Sequence, residues 1–185
     1  MDDGVAGSAA RGGRAIGAMF LSGFGTVWMV WWCLERVGVA VPLLLLIVLV
    51  GGLLLTLAIR QYRANRAALA AEAGTPESKR MQRAFNLVNN GQWIAITVAA
   101  LVLANTGHAA WIRVAIIFVV GAHFLPLAAV YRYRWHYLTG AVLMLVAAVY
   151  PLATPQGPLN PIGLLLTGLT LWASTLNMVR PRGAP

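Results

Sequence analysis

The sequence consists largely of apolar runs that are each about as long as a bilayer is thick. A helix that crosses a membrane needs about 20 predominantly apolar residues. Six such runs occur, at residues 15–34, 37–59, 85–104, 110–131, 135–152 and 161–179. They do not alternate between polar and apolar residues, as the strands of a membrane barrel do. The sequence therefore predicts an all-α polytopic transmembrane six-helix bundle, forming a single integral membrane domain over residues 1–185.

The composition agrees with a membrane environment. Only 10% of the residues are charged and 59% are hydrophobic, whereas a soluble domain carries about 25% charged residues. A net charge of +9 in a soluble protein would indicate a nucleic-acid partner. Here the basic residues lie between the apolar runs, so we predict that the lipid bilayer is the partner and that nucleic acid is not. The one cysteine excludes an internal disulfide and a CxxC site.

The distribution of basic residues predicts the orientation of the spans, because loops rich in lysine and arginine stay in the cytoplasm. Six spans place twelve of the fourteen basic residues on one side: Arg11, Arg14, Arg60, Arg63, Arg66, Lys79, Arg80, Arg83, Arg132, Arg134, Arg180 and Arg182. The other side receives only Arg36 and Arg113. The sequence thus predicts that both termini are cytoplasmic and that the protein is a multi-pass component of the inner, or plasma, membrane.

The connection at residues 60–84 is predicted to be a cytoplasmic helical hairpin. Residues 59–73 are rich in helix formers and are followed by Gly74, a residue suited to a helix C-terminus. Thr75, Pro76 and Glu77 then supply an N-cap, a proline in the first turn and an early acid. A solvated basic loop held near anionic lipid is the alternative interpretation.

Polar side chains inside a span are costly and therefore indicate function. Asn86, Asn90 and Trp93 follow a helical spacing on the third span and share one face, with Gln92 to one side. The fourth span contains His123, three residues before the helix-distorting Pro126. In the predicted orientation these groups fall in the inner half of the bundle. The predicted ligand-binding residues are His123, Asn90, Gln92, Asn86, Trp93 and Asn177.

His123 allows two interpretations. It is either the one titratable group of a ligand cavity or a residue whose hydrogen bond to an Asn or Gln holds two helices together. No HxxxH pattern or carboxylate accompanies it, and one histidine does not make a bis-histidine cytochrome. The sequence accordingly predicts no metal site and no cofactor. Gly25 and Gly121 are predicted to allow close approach of neighbouring helices.

Two segments, FNLVNNGQWIAI at residues 85–96 and VVGAHFLPLAAVYRYRWHYLTG at residues 119–140, resemble those of an uncharacterised family of small bacterial multi-pass membrane proteins. The shared feature is a histidine–aromatic–Pro-Leu pattern. The resemblance covers spans three to five, about a third of the chain. It implies the six-span architecture and points to Asn90, Gln92, His123 and Pro126, but it implies no activity.

Three classes of function remain open. The favoured hypothesis is a non-enzymatic protein that binds or transports a small apolar or uncharged molecule through an inner-leaflet cavity, and that forms a homo-oligomer because one small bundle encloses little volume. The second is a membrane-embedded enzyme on a lipid or isoprenoid-like substrate, with His123 as acid or base beside Tyr133 or Tyr137. The third is a structural or regulatory subunit whose basic hairpin docks a partner or anionic lipid. The spans contain no central carboxylate, which disfavours ion-coupled transport.

Overall fold

The computed structural model describes residues 2–180, with side chains from residue 7 onward, and every regular element in that range is helical. The six long helices are α1 (Asp2–Arg36), α2 (Val41–Glu72), α3 (Pro76–Asn105), α4 (Ile112–Val130), α5 (Trp135–Ala153) and α6 (Ile162–Val179). Two single 3-10 turns, Ala109–Trp111 and Gly157–Leu159, precede α4 and α6. All six helices are long and apolar enough to cross a membrane, so the chain is a polytopic integral membrane protein of the all-α class. Arg182, one of the basic residues used for orientation, lies outside the described residues.

The largest difference from the predicted spans is at the start of α1. The apolar pattern begins at residue 15, whereas the helix begins at Asp2. The early turns pack along α2: a Cβ added to Gly12 would lie 3.2 Å from Leu69 Cβ, and Arg11 Nε donates to Asn65 Oδ1 at 3.4 Å. Packing against a neighbouring helix thus maintains helical structure where glycine-rich sequence alone would not.

The connection predicted to be a cytoplasmic hairpin is helical on both sides of Gly74, and its cytoplasmic placement stays a prediction. Helix α2 continues to Glu72 and α3 begins at Pro76, so both arms of the connection are helical. Gly74 has φ +91°, a left-handed conformation that glycine adopts without a steric penalty. The amide of Ser78 donates to Thr75 Oγ1 at 3.1 Å, which is the N-cap that the sequence indicates.

The contacts divide the chain into two compact units, which are described separately. In the described residues, unit 1 comprises residues 2–78 and 168–180. One stripe of α2 is buried there: Ile47, Gly51, Leu54 and Ala58. A Cβ added to Gly51 would overlap Thr26 Oγ1, and one added to Gly25 would lie 2.5 Å from the indole of Trp172. The predicted close approach at Gly25 is therefore confirmed. Cys33 is completely buried in this unit.

Unit 2 comprises residues 79–167, and its centre is the antiparallel pair α4 and α5. The tight turn between them has Arg132 at φ +49° and an amide hydrogen bond from Tyr133 to the Ala128 carbonyl at 3.0 Å. The two helices cross at a pair of glycines. A Cβ added to Gly140 would lie 2.7 Å from the Gly121 carbonyl oxygen, and one added to Gly121 would lie 3.0 Å from the Gly140 carbonyl oxygen. This confirms the predicted role of Gly121.

Candidate functional site

An apolar groove lies between α1 and α2 in unit 1. Its volume is about 560 Å³, and it is more open than enclosed. Its lining residues are Ser22, Gly23, Thr26, Val27, Val30, Trp31, Leu34, Val48, Gly51, Gly52 and Leu55. Three of them are glycines, so the groove exists where side chains are missing from the surfaces of two close helices.

The polar atoms of the groove are already used within the protein. Ser22 Oγ donates to the Met19 carbonyl at 2.8 Å, and Thr26 Oγ1 donates to the Ser22 carbonyl at 2.7 Å. Thr26 Oγ1 also accepts a hydrogen bond from Trp172 Nε1 at 3.3 Å. These hydroxyls stabilise α1 and its contact with α6. The surface that remains for a ligand is therefore apolar, and burial of hydrocarbon is the favourable interaction that it offers.

Trp31 lines the part of the groove that is nearer to the α1–α2 turn. The rings of Trp28 and Trp31 stack with centroids 5.6 Å apart at 22°. Trp31 Nε1 donates to Glu35 Oε1 at 2.6 Å, a short distance typical of a charge-assisted hydrogen bond. This bond holds the exposed indole of Trp31 against the next turn of its own helix.

The residues predicted on the third span lie on α3 and do share a face. Asn86, Asn90 and Trp93 are all exposed, whereas Gln92 is half-buried and points in a different direction. None of the described residues of α3 is buried. These residues therefore lie on one face of α3, and their role in binding a ligand stays a prediction.

His123 has a neighbour that sequence reasoning missed. Its ring and that of His136 both contact the buried Phe124, with centroid distances of 5.0 Å and 5.4 Å. The ring of His136 also lies 5.0 Å from that of Tyr133. Because α4 and α5 form a tight hairpin, His136, two residues after the turn, lies near His123, eight residues before it.

The chemistry available to this pair follows from its hydrogen bonds. His123 Nδ1 lies 3.2 Å from the Val120 carbonyl of its own helix, which favours the tautomer with the proton on Nδ1. His136 is buried, and its Nδ1 has no hydrogen-bond partner in the described residues. Two imidazoles can exchange protons or ligate a metal. The described residues, however, contain no group of three His, Cys, Asp or Glu side chains that could hold a metal ion.

The inner-half cluster predicted from the sequence is distributed over both units. Asn177 is half-buried on the part of α6 that belongs to unit 1. His123, Gln92 and the polar face of α3 belong to unit 2. The convergence of these residues on one ligand stays a prediction. The groove itself had a weak signal in the sequence, namely the adjacent glycines Gly51 and Gly52 in an otherwise aliphatic span.

The chain was also compared with protein-family models, with curated proteins and with solved structures. No family model matches it, no curated protein matches it and no solved structure matches it.

Proposed function

We propose that this protein binds a small apolar or uncharged molecule within the membrane, in the groove between α1 and α2. The observation that carries the proposal is a groove of about 560 Å³ whose hydroxyl groups are satisfied by the backbone of their own helix. Such a surface has little to offer a charged or strongly polar ligand, because burying a polar group without a partner costs free energy. A molecule with a long hydrocarbon portion is the best match.

The affinity comes from burial of hydrocarbon against Val27, Val30, Leu34, Val48 and Leu55, which line the groove. Each methylene group moved out of water contributes about 0.8 kcal/mol. A ligand that is already dissolved in lipid gains less, since it gives up one apolar environment for another. Selectivity then depends on the shape of the groove, which is defined by the hydrogen-bonded indole of Trp31 and by the absence of side chains at Gly23 and Gly52.

Filling the groove tests the proposal. A Cβ added to Gly52 meets no atom within 4 Å, so a Gly52→Leu variant is expected to fold while its side chain occupies the site. The probe is a diazirine-labelled hexadecanol in phosphatidylcholine vesicles that contain the full-length protein. We expect saturable photolabelling of residues 27–34 and 48–55 in the unaltered protein, and a reduction of about tenfold or more in the variant.

The matched control is Gly91→Leu, because a Cβ at Gly91 also meets no atom within 4 Å and Gly91 lies outside the groove. This control is expected to label like the unaltered protein. Competition with excess unlabelled hexadecanol separates a binding site from simple contact with bulk lipid. Labelling that does not saturate, or that persists in Gly52→Leu, would rule out the groove as the site.

The proposed orientation has both termini in the cytoplasm, and it can be tested separately. It is supported by the arginines on the extension of α2, Arg60, Arg63 and Arg66, which continue the helix beyond its apolar run. A reporter fused after Arg180 is expected to be active as a cytoplasmic reporter. The same reporter inserted between Thr154 and Pro155 is expected to be active only on the opposite side. The reverse pattern would invert the proposed arrangement.

A further inference from the structure

The groove between α1 and α2 is slightly longer than one leaflet of a bilayer. Its lining residues lie at 22–34 on α1 and at 48–55 on α2, all of them within unit 1. At a rise of about 1.5 Å per residue, residues 22 and 34 are about 18 Å apart along the helix. The hydrocarbon core of a bilayer is about 30 Å thick, so each leaflet contributes about 15 Å. A groove of this length suits a chain that belongs to one leaflet.

The end of the groove nearer to the α1–α2 turn lies at the edge of the predicted span. The apolar run of α1 ends at Leu34, and the charged residues Glu35 and Arg36 follow it directly. Trp31 lines the groove near this end and donates its indole hydrogen to Glu35. Tryptophan is enriched where a membrane meets water, because its ring has an apolar body and a polar edge. A polar group bound at this end is therefore close to water and to charged side chains.

The other end of the groove lies inside the hydrocarbon, slightly past its middle. Ser22 is about 10 Å along the helix from residue 15, where the apolar run starts. Its hydroxyl donates to a carbonyl of its own helix, and so does the hydroxyl of Thr26. The hydroxyls at this end are thus already bonded, and hydrocarbon is the ligand chemistry that suits them.

The floor of the groove is the line along which α1 and α2 touch. A Cβ added to Gly51 would overlap Thr26 Oγ1, so the two helices close the groove along that line. Beside it, a Cβ added to Gly23 or Gly52 meets no atom within 4 Å. A groove along one line of helix contact holds one hydrocarbon chain, whereas a second chain would lie outside it.

We infer that the ligand of this groove is a single-chain amphiphile with an uncharged polar head, and that it enters from the leaflet on the side of the α1–α2 turn. This inference rests on the proposed function and adds the class and the orientation of the ligand. The head lies at the level of Glu35 and Arg36, whose opposite charges favour an uncharged head over an ion. The reversed ligand would bury its head about 10 Å inside the hydrocarbon, at a cost in free energy. With both termini in the cytoplasm this leaflet is the outer one, whereas the sequence predicts an inner-leaflet cavity.

Photolabels at the two ends of the chain test the orientation. The probes are tetradecanol with a diazirine next to the hydroxyl and tetradecanol with a diazirine at the end of the chain, in phosphatidylcholine vesicles that contain the full-length protein. Only labelling that excess unlabelled tetradecanol abolishes is counted, so that contact with bulk lipid is excluded. We expect the first probe to label residues 31–34 at least about fivefold more than residues 22–26. The second probe is expected to show the opposite preference.

The length of the groove predicts how binding depends on chain length. An extended hydrocarbon chain gains about 1.25 Å per carbon, since bonds of about 1.5 Å meet at about 110°, so a groove of about 18 Å holds about 14 carbons. Alcohols from octanol to octadecanol are compared as competitors at equal mole fraction in the bilayer. We expect competition to strengthen up to tetradecanol and then to level off, because further carbons extend past the groove and gain no new contacts with it.

Gly23→Leu tests the deep end of the groove. Gly23 is a lining residue, and a Cβ added there meets no atom within 4 Å, so the variant is expected to fold with a shortened groove. We expect tetradecanol to compete about tenfold less well than in the unaltered protein, while octanol competes equally well. Gly13→Leu is the matched control on the same helix, because a Cβ at Gly13 also meets no atom within 4 Å and Gly13 does not line the groove. It is expected to keep the full dependence on chain length.

The possible outcomes separate this inference from the proposed function. The absence of any saturable labelling would contradict the proposed function and this inference with it. Saturable labelling with the two depth preferences exchanged, or a dependence on chain length that Gly23→Leu leaves unchanged, would overturn this inference alone. Stronger competition by a diacylglycerol than by tetradecanol would contradict the single chain, and stronger competition by tetradecyl sulfate would contradict the uncharged head.

Discussion

Gly140→Leu is expected to lower the free energy of unfolding of unit 2 by about 3 kcal/mol or more. A Cβ at this position would already lie 2.7 Å from the Gly121 carbonyl oxygen, and 3.2 Å from Phe124 Cβ. The obstructing atom belongs to the backbone of α4, so no rotamer change relieves the overlap. The two helices must separate, which opens the contact that organises the α4–α5 pair. The measurement is the midpoint of SDS-induced unfolding in mixed micelles.

Gly91→Leu is the appropriate control for this substitution. The two variants make the same chemical change in a helix, but the added side chain at Gly91 meets open space. Removal of a helical glycine is favourable by up to about 1 kcal/mol, so the control is expected to equal or exceed the stability of the unaltered protein. Similar unfolding midpoints for the two variants would show that the glycine crossing does not hold α4 and α5 together.

Gly51→Ala is expected to lower the stability of unit 1 by about 1–3 kcal/mol, because the new methyl group would overlap Thr26 Oγ1. That hydroxyl cannot turn away without losing its hydrogen bond to the Ser22 carbonyl and its role as acceptor for Trp172 Nε1. The neighbouring Gly52→Ala is the control, since its Cβ meets no atom within 4 Å. It is expected to be neutral or slightly stabilising.

A double-mutant cycle identifies the cause of the Gly51 effect. Thr26→Ala alone is expected to cost about 1 kcal/mol, mainly through the lost hydrogen bond from Trp172. In the Gly51→Ala/Thr26→Ala double variant the overlap with the hydroxyl is removed, so the two effects are expected to be less than additive. Contacting residues typically couple by about 0.5–3 kcal/mol in such cycles. Strictly additive effects in SDS-induced unfolding would mean that Thr26 is not what excludes a side chain at Gly51.

The elements of the fold were predictable because their signals are local. Hydrocarbon length sets the size of each apolar run, and Gly74 with Thr75 and Pro76 marks the end of one helix and the start of the next. The start of α1 was not predictable. Its glycine-rich first turns are poor helix formers, and their contact with α2 at Leu69 is a tertiary effect that a local pattern does not contain.

The candidate sites were predictable only in part, for a related reason. Helical spacing shows that Asn86, Asn90 and Trp93 share a face, but it does not show whether another helix covers that face. His136 is 13 positions from His123 in the sequence, and only the geometry of the α4–α5 turn brings both rings to Phe124. The groove is harder still to predict, because it forms where glycines on two different helices leave space between the neighbouring side chains.

The buried position of Cys33 has a practical consequence for studying this molecule. Its thiol is completely shielded, and it is the one cysteine of the chain. A maleimide reagent therefore reaches the thiol only when the helices around it separate. The alkylation rate then measures how often α1 opens locally. The native cysteine is therefore sufficient to measure the rate of these local openings in a lipid environment, without an engineered label.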